Sequence, residues 1–244
     1  MANLNGKNVI ITGAAGGLGG EIARAAAAAG AAVAIFDVKG VDEAVANLKQ
    51  SGFKAVGFTV DVRDGKAVVA ATDEVSRALG GVHILIAAAG GSLGTPRDLD
   101  DISEEDLDFV LDVNIKGTFN CARAAISHMK QNGGGSIVTF SSIGGRSASP
   151  VTGVPYAAAK AGLLGLTRRL AREVGNANIR VNAIAPGLFL TDRLQGMFDA
   201  LPEAERKEVL DSIPLGRMPQ LRECVEPVLF LASDESSYIT GVVL

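Results

Sequence analysis

At 244 residues the chain suits one large domain or two small ones, and it can bury a sizeable core. A formal charge of −4 with no clustered basic face argues against a nucleic-acid partner, and no run reaches the roughly 18–20 apolar residues that cross a bilayer, so no membrane association is expected. Met1–Lys7 lacks the apolar core of a signal peptide, and the distant Cys121 and Cys224 read as buried thiols of a soluble, cytoplasmic protein.

Short apolar runs alternate with longer helical patterns. Lys7–Thr12 reads as a buried strand that enters a Gly-rich turn and a helix through about Ala29. Ala32–Asp37 is a second strand, Val41–Ser51 a helix, Lys54–Val60 a third strand and Asp64–Leu79 a helix. Val82–Ala88 is a fully apolar fourth strand, and Ser103–Lys130 reads as one long helix with Ser103 and Asp106 at capping-box spacing. Gly133–Gly135 breaks it; Ser136–Ser141 is a fifth strand, Pro155–Val174 a helix and Ile179–Ala185 a sixth strand. Tyr238–Leu244 reads as a turn into a seventh strand that stops abruptly, which leaves open a continuation past Leu244. Strands this apolar must be covered on both faces, so a doubly wound α/β domain with a mostly parallel seven-stranded sheet over residues 1–244 is expected. His83 and His128 read as structural, and with no His/Cys cluster no metal site is expected.

The first turn, Thr12-Gly13-Ala14-Ala15-Gly16-Gly17-Leu18-Gly19, lies between a strand and a helix. Glycine serves where backbone must approach a pyrophosphate without a Cβ, and the helix N-terminus offers N–H groups to the phosphates. Strand two ends in Asp37, 18 residues after Gly19, where a carboxylate accepts hydrogen bonds from adenosine ribose hydroxyls and repels a 2′-phosphate. Neither Ala14 nor Ala15 supplies a compensating cation, and Lys39 is the nearby rival, so NAD fits better than NADP. Tyr156-Ala157-Ala158-Ala159-Lys160 opens a helix and places a phenol and an ammonium one turn apart on one face. A phenol is a poor base near neutral pH, with an ordinary pKa of about 10, and a nearby lysine cation, with a cationic nicotinamide ring, stabilises the phenolate.

These elements, together with Asp61-Val62, Asn114 in Val113–Gly117, Ser142 and Pro186-Gly187-(x)3-Thr191, make the chain resemble the short-chain dehydrogenase/reductase family over nearly its whole length. The resemblance implies a Rossmann-type fold and hydride transfer between a nicotinamide dinucleotide and an alcohol or ketone, with Tyr156 as general acid/base. Lys160 would bind the nicotinamide ribose and depress the Tyr156 pKa, Ser142 would bond the substrate oxygen, and Asn114 would hold a water in a proton relay. Asp61 and Val62 would frame the adenine, and Thr191 would hold the nicotinamide carboxamide. Gly13, Gly17, Leu18, Gly19, Asp37, Gly90, Pro186, Gly187 and Phe189 complete the expected cofactor contacts. Alternatives stay open at this point: Ser141 for the serine role, a purely structural Asn114, and a capping Thr191.

Two positions depart from the family pattern. Ala87-Ala88-Ala89-Gly90 stands where Asn-Asn-Ala-Gly is usual, and Ser142 precedes Tyr156 by 14 residues, one more than usual, so Gly144–Val154 carries an insertion. Gly91–Leu99, Ile143–Val154 and Leu188–Met218 are expected to wall the substrate pocket. The last holds Phe189, Leu194, Met197, Phe198 and Leu201 and reads as a short helical lid. This lining suggests a hydrophobic alcohol, ketone or diol, although Arg97, Arg146 and Arg193 could serve an anion. Arg168, Arg169 and Arg172 read as a solvated helix face or interface. The nearest rival is an NADPH-dependent 3-oxoacyl carrier-protein reductase, which Asp37 opposes, as does the lack of a basic residue in Gly175–Asn178. A non-catalytic dinucleotide-binding protein is a more remote rival, and the four-residue Tyr–Lys spacing disfavours the enoyl reductases of this superfamily. The resemblance further implies a homotetramer built on Ser103–Lys130 and Pro155–Val174.

Overall fold

The computed structural model describes residues 2–147, 152–189, 196, 198–199 and 202–244. Six strands, β1 (Asn8–Thr12), β2 (Ala32–Asp37), β3 (Ala55–Thr59), β4 (Ile84–Ala87), β5 (Gly135–Phe140) and β6 (Ile179–Ile184), form one sheet of order β3-β2-β1-β4-β5-β6. All neighbours pair in parallel. The strand order reverses between β1 and β4, and the loops leaving those two carboxyl ends diverge into a crevice, where ligands of open α/β sheets bind.

The side chains of each strand divide between two cores. Val9, Ile11, Val33, Ile35, Ile84, Ile86 and Val138 face one side. There they meet α1 (Gly17–Ala28), α2 (Val41–Gln50) and a late helix of residues Arg222–Ala232. Ile10, Ala34, Leu85, Ile137 and Val181 face the other, against α3 (Gly65–Leu79) and the helices that follow β4 and β5. Each fully buried aliphatic side chain contributes about 1.5–3 kcal/mol, so a sheet apolar on both faces must be covered on both.

The segment expected as one helix over Ser103–Lys130 is α4 (Glu104–Leu111), a π turn (Asp112–Lys116) and α5 (Gly117–Gln131). Its start is capped as read from the sequence: the Ser103 hydroxyl accepts from the Asp106 N–H, and the Asp106 carboxylate accepts from the Ser103 N–H. The π turn carries the buried Asn114, and Gly117 closes it because a Cβ there would lie 2.5 Å from Val62 Cγ2. After β5 comes α6 (Val154–Val174), and after β6 come α7 (Glu203–Asp211) and α8, the Arg222–Ala232 helix.

The expected seventh strand is reduced to a parallel bridge between Ala183 and Val243, with backbone bonds from Gly241 to Val181 and between Leu244 and Ala183. Asn182, fully buried, clamps this segment: its Nδ2 donates to the Ile239 carbonyl at 2.8 Å and its Oδ1 accepts from the Val242 N–H at 3.2 Å. An Asn182→Ala protein therefore loses partners for two backbone groups at once. Its unfolding is expected to cost about 2 kcal/mol less, with Tm lower by about 4–8 °C in a thermal melt.

Candidate active site

At the carboxyl ends of β1 and β2 the Gly-rich turn is held so tightly that side chains are excluded. Gly13 has φ +66°, donates to the Phe36 carbonyl at 2.8 Å, and has Ala89 Cα 2.9 Å from where its Cβ would stand. A Cβ on Gly19 would fall 2.1 Å from the Gly13 carbonyl oxygen. Gly17 (φ +55°) opens α1, whose first turn holds neither an acidic residue nor a side-chain cap, so its N–H groups and its partial positive charge remain available to an anion. Leu18 packs against the core behind the turn.

The Asp37 carboxylate is locked to this turn. Its Oδ2 accepts from the Ala15 N–H at 3.0 Å and its Oδ1 from the Val38 N–H at 2.8 Å. A turn that a Cβ on Gly13 or Gly19 would obstruct, beside a fixed carboxylate, fits a dinucleotide whose pyrophosphate lies at the helix N-terminus. Val62 is buried against Gly117 at the start of α5. Asp61 is less free than the sequence suggested. Arg63 grips its carboxylate at 2.6–3.0 Å and holds it below the ordinary range.

At the end of β5, three consecutive residues each address one atom of the Tyr156/Lys160 pair on α6. The Phe140 carbonyl accepts from Lys160 Nζ at 2.7 Å. Ser141 Oγ donates to the Lys160 carbonyl at 2.7 Å. Ser142, on the opposite side of the pleat, is near enough to the Tyr156 hydroxyl to lower the phenol, and its Oγ accepts from the Gly144 N–H at 3.2 Å. Lys160 Nζ stands 5.5 Å from the Tyr156 ring centre.

Burial pushes the Tyr156 phenol above its ordinary value, and Ser142 offsets this in part. Burial also pushes Lys160 down to about 8, which still leaves an ammonium near neutral pH. The phenol becomes a competent base only when further positive charge is brought against it.

Asn114 lies across the crevice. Its Oδ1 accepts from the Gly91 N–H at 3.0 Å, and its Nδ2 donates to the carbonyls of Gly91 (3.0 Å) and Val110 (2.8 Å). The side chain thus fastens the segment after β4, and Gly90 (φ +147°) is required because its Cβ would come within 2.4 Å of Asn114 Oδ1 and 3.4 Å of Lys160 Nζ. The Ala87–Gly90 departure is compensated locally, since the Ala89 N–H donates to Thr12 Oγ1 at 2.9 Å.

Pro186 and Gly187 adjoin the serine: the Pro186 carbonyl accepts from the Ile143 N–H at 3.1 Å, and Phe189 packs on the core. Thr191, Arg193, Leu194, Met197 and Leu201 lie outside the described residues, as do residues 148–151, so the Leu188–Met218 segment is described only in part. The first two expected pocket walls do meet, because a Cβ on Gly153 would stand 2.7 Å from the Pro96 carbonyl. The Phe140 carbonyl left no signal in the sequence, being a backbone atom. Ser141 was visible only as an alternative to Ser142.

A family model described as enoyl-(acyl carrier protein) reductase matches residues 13–244. Among curated proteins the chain is 41% identical over 248 residues to an uncharacterized short-chain type dehydrogenase/reductase, y4mP, of Sinorhizobium fredii, covering 99% of this chain and 96% of the relative. It is 38% identical over 245 residues to the 3-oxoacyl-[acyl-carrier-protein] reductase FabG of Thermotoga maritima, covering 99% and 96%. It is 38% identical over 245 residues to a 3alpha-hydroxysteroid dehydrogenase of Mediterraneibacter gnavus, covering 99% and 95%. A crystal structure from Sinorhizobium meliloti 1021, given a provisional short-chain alcohol dehydrogenase assignment, superposes with TM-score 0.91 at 39% identity over 99% of this chain and 95% of its own.

The buried ammonium has a measurable stability cost. Lys160 is lowered from 10.5 to about 8 in the folded chain, so between those values the unfolded state binds more protons and stability rises with pH. Below that window the cost is about 3 kcal/mol by conversion of the shift, and Lys160→Met would recover it less about 1 kcal/mol for the Phe140 carbonyl left without its donor. The Lys160→Met protein is therefore expected to melt above the native protein at pH 7, with the gap closing as pH rises through 8 to 10.5.

Proposed function

Because this chain belongs to the short-chain dehydrogenase/reductase family, we propose that it is an NAD-dependent oxidoreductase interconverting a secondary alcohol, or diol, and the corresponding ketone. Oxidoreduction at a CH–OH centre with a nicotinamide dinucleotide follows from the family itself. The choice of NAD rests on Asp37, which presents a carboxylate at the Gly-rich turn with no cation bonded to it among the described residues. The catalytic reading rests on one observation above the others, the seating of Tyr156, Lys160 and Ser142 around the end of β5.

When bound, the nicotinamide supplies the hydride acceptor or donor. Around it, Ser142 and Tyr156 bond the substrate oxygen, and Tyr156 takes the hydroxyl proton in oxidation or gives it in reduction. Lys160 holds the nicotinamide ribose through the donors that the Phe140 carbonyl leaves over, and its charge favours the phenolate. Asn114 keeps Gly91 in place and, with Gly90, closes one side of the ammonium's pocket. Gly13, Gly17, Leu18 and Gly19 would cradle the pyrophosphate, Asp61 and Val62 would flank the adenine, and Pro186, Gly187, Phe189 and Thr191 would line the nicotinamide end. The segment of residues 188–218 would cover the substrate. Exposed Leu93, Ile143 and Val154 on the two walls that meet at Gly153 support an apolar substrate.

A second reading, the NADPH-dependent 3-oxoacyl carrier-protein reductase, draws support from the Thermotoga maritima relative. Carbon–carbon double-bond reduction is less well supported, because Tyr156 and Lys160 are four residues apart. For assembly we favour a homotetramer, with contacts on α4, α5 and α6: Leu107, Phe109 and Phe119 are 38–44% exposed. Buried free thiols at Cys121 and Cys224 suit a cytoplasmic setting.

A panel of alcohols and ketones with both cofactors is the direct test. Turnover of apolar secondary alcohols at least about tenfold more efficient with NAD is expected, and Tyr156→Phe should lose about 10³-fold while still binding NAD. Unchanged turnover in Tyr156→Phe would remove the mechanism. A strong NADPH preference would favour the carrier-protein reductase, and turnover confined to small charged hydroxyacids would defeat the apolar pocket.

A further inference from the structure

We propose that Ser141 is a positioning residue, which sets α6 against β5 so that the Ser142 and Tyr156 hydroxyls meet and the Lys160 ammonium stays on the Phe140 carbonyl. The proposal rests on the reading of Tyr156 as the acid/base and adds a residue to which neither the motif nor the comparisons assign a task.

Ser141 is 3% exposed, and its hydroxyl donates to a carbonyl inside a 21-residue helix. That carbonyl belongs to Lys160, whose side chain reaches back to the residue preceding Ser141. One peptide of α6 is thereby held at both its backbone and its side chain by adjacent residues of one strand. The following turn presses on the same place, for a Cβ on Gly145 would lie 2.5 Å from the Lys160 carbonyl carbon and 2.7 Å from the Ala161 nitrogen. A second pin lies further along: Thr139 Oγ1 meets Thr167 Oγ1 at 2.6 Å. Along α6 the step from Lys160 to Thr167 is about two helical turns. The Thr139–Thr167 pin fixes the helix at a distance from the site; the Ser141 pin fixes it at the reacting end. Loss of the second would let Tyr156 drift from Ser142, whose bond is what lowers the phenol against burial. The charged group that faces the Tyr156 ring among the described residues is Lys160.

The chain has two tyrosines and no tryptophan, and Tyr238 is fully exposed, so phenolate absorbance of the cofactor-free protein, read against Tyr156→Phe, isolates Tyr156. Ser141→Ala is expected to raise the Tyr156 titration by about half a pH unit or more, and to lower kcat about tenfold with KM for NAD changed less than about twofold. Ser141→Thr, which keeps the donor, should restore both. Thr167→Val should lower Tm while leaving the Tyr156 titration in place. A Ser141→Ala protein with the native titration and kcat overturns the proposal, as does a Thr167→Val protein that shifts Tyr156 equally. If Ser141→Ala is recovered unfolded, Ser141→Cys, which keeps the volume and weakens the donor, is judged by the same two outcomes. The titration needs no substrate, so its failure is distinct from a failure to find alcohol turnover.

Discussion

An ammonium buried at the end of a parallel sheet is the constraint around which this molecule is arranged. Lys160 is 5% exposed, and removing its charge from water is costly unless donors and acceptors are placed beforehand. The Phe140 carbonyl is the protein's own partner for it. Gly90 gives up a side chain to make room beside Nζ, and the π turn brings Asn114 in to hold the neighbouring backbone. A group kept at such expense, one helical turn from a buried phenol, marks this end of the sheet as a candidate functional site rather than a stabilising core.

The sheet supplies the rigidity that this arrangement requires. β5 pairs on both sides, with β4 and β6, and its hydroxyls pin helices on opposite faces: Ser136 bonds the Leu231 carbonyl of α8, and Thr139 and Ser141 bond α6. Seating the Tyr156 and Lys160 side chains where a central strand ends gives them positions fixed by the ladder rather than by a loop. The Gly-rich turn stands across the crevice on β1, and its register with Asp37 is fixed by the same ladder through Gly13 and Phe36.

Much of this was legible in the residues. Apolar runs located the six strands and their order of occurrence, and Gly13 and Gly19 of the first turn are explained by contacts that no Cβ survives. The Ser103–Asp106 spacing located a capping box. Ser141 Oγ bonds the Lys160 carbonyl while Ser142 lies against Tyr156, a division of tasks that the residue pair alone leaves open. Other features had no local signature. The π turn arises because Asn114 must reach Gly91, a tertiary demand that helical periodicity over residues 103–130 does not record. The direction of the Tyr156 shift depends on burial against near contact, and spacing alone reports the contact but not the burial. The grip of Arg63 on the Asp61 carboxylate is likewise a side-chain contact that the spacing alone does not record.

The arrangement depends on the state of one side chain. Following the Lys160 ammonium by NMR, through the chemical shifts of its terminal carbon and nitrogen across a pH titration of the cofactor-free protein, measures that state directly. Half-titration close to 8, well separated from the surface lysines, is the predicted result. A Lys160 that titrates with the ordinary value of 10.5 would contradict a buried, prearranged ammonium at this site.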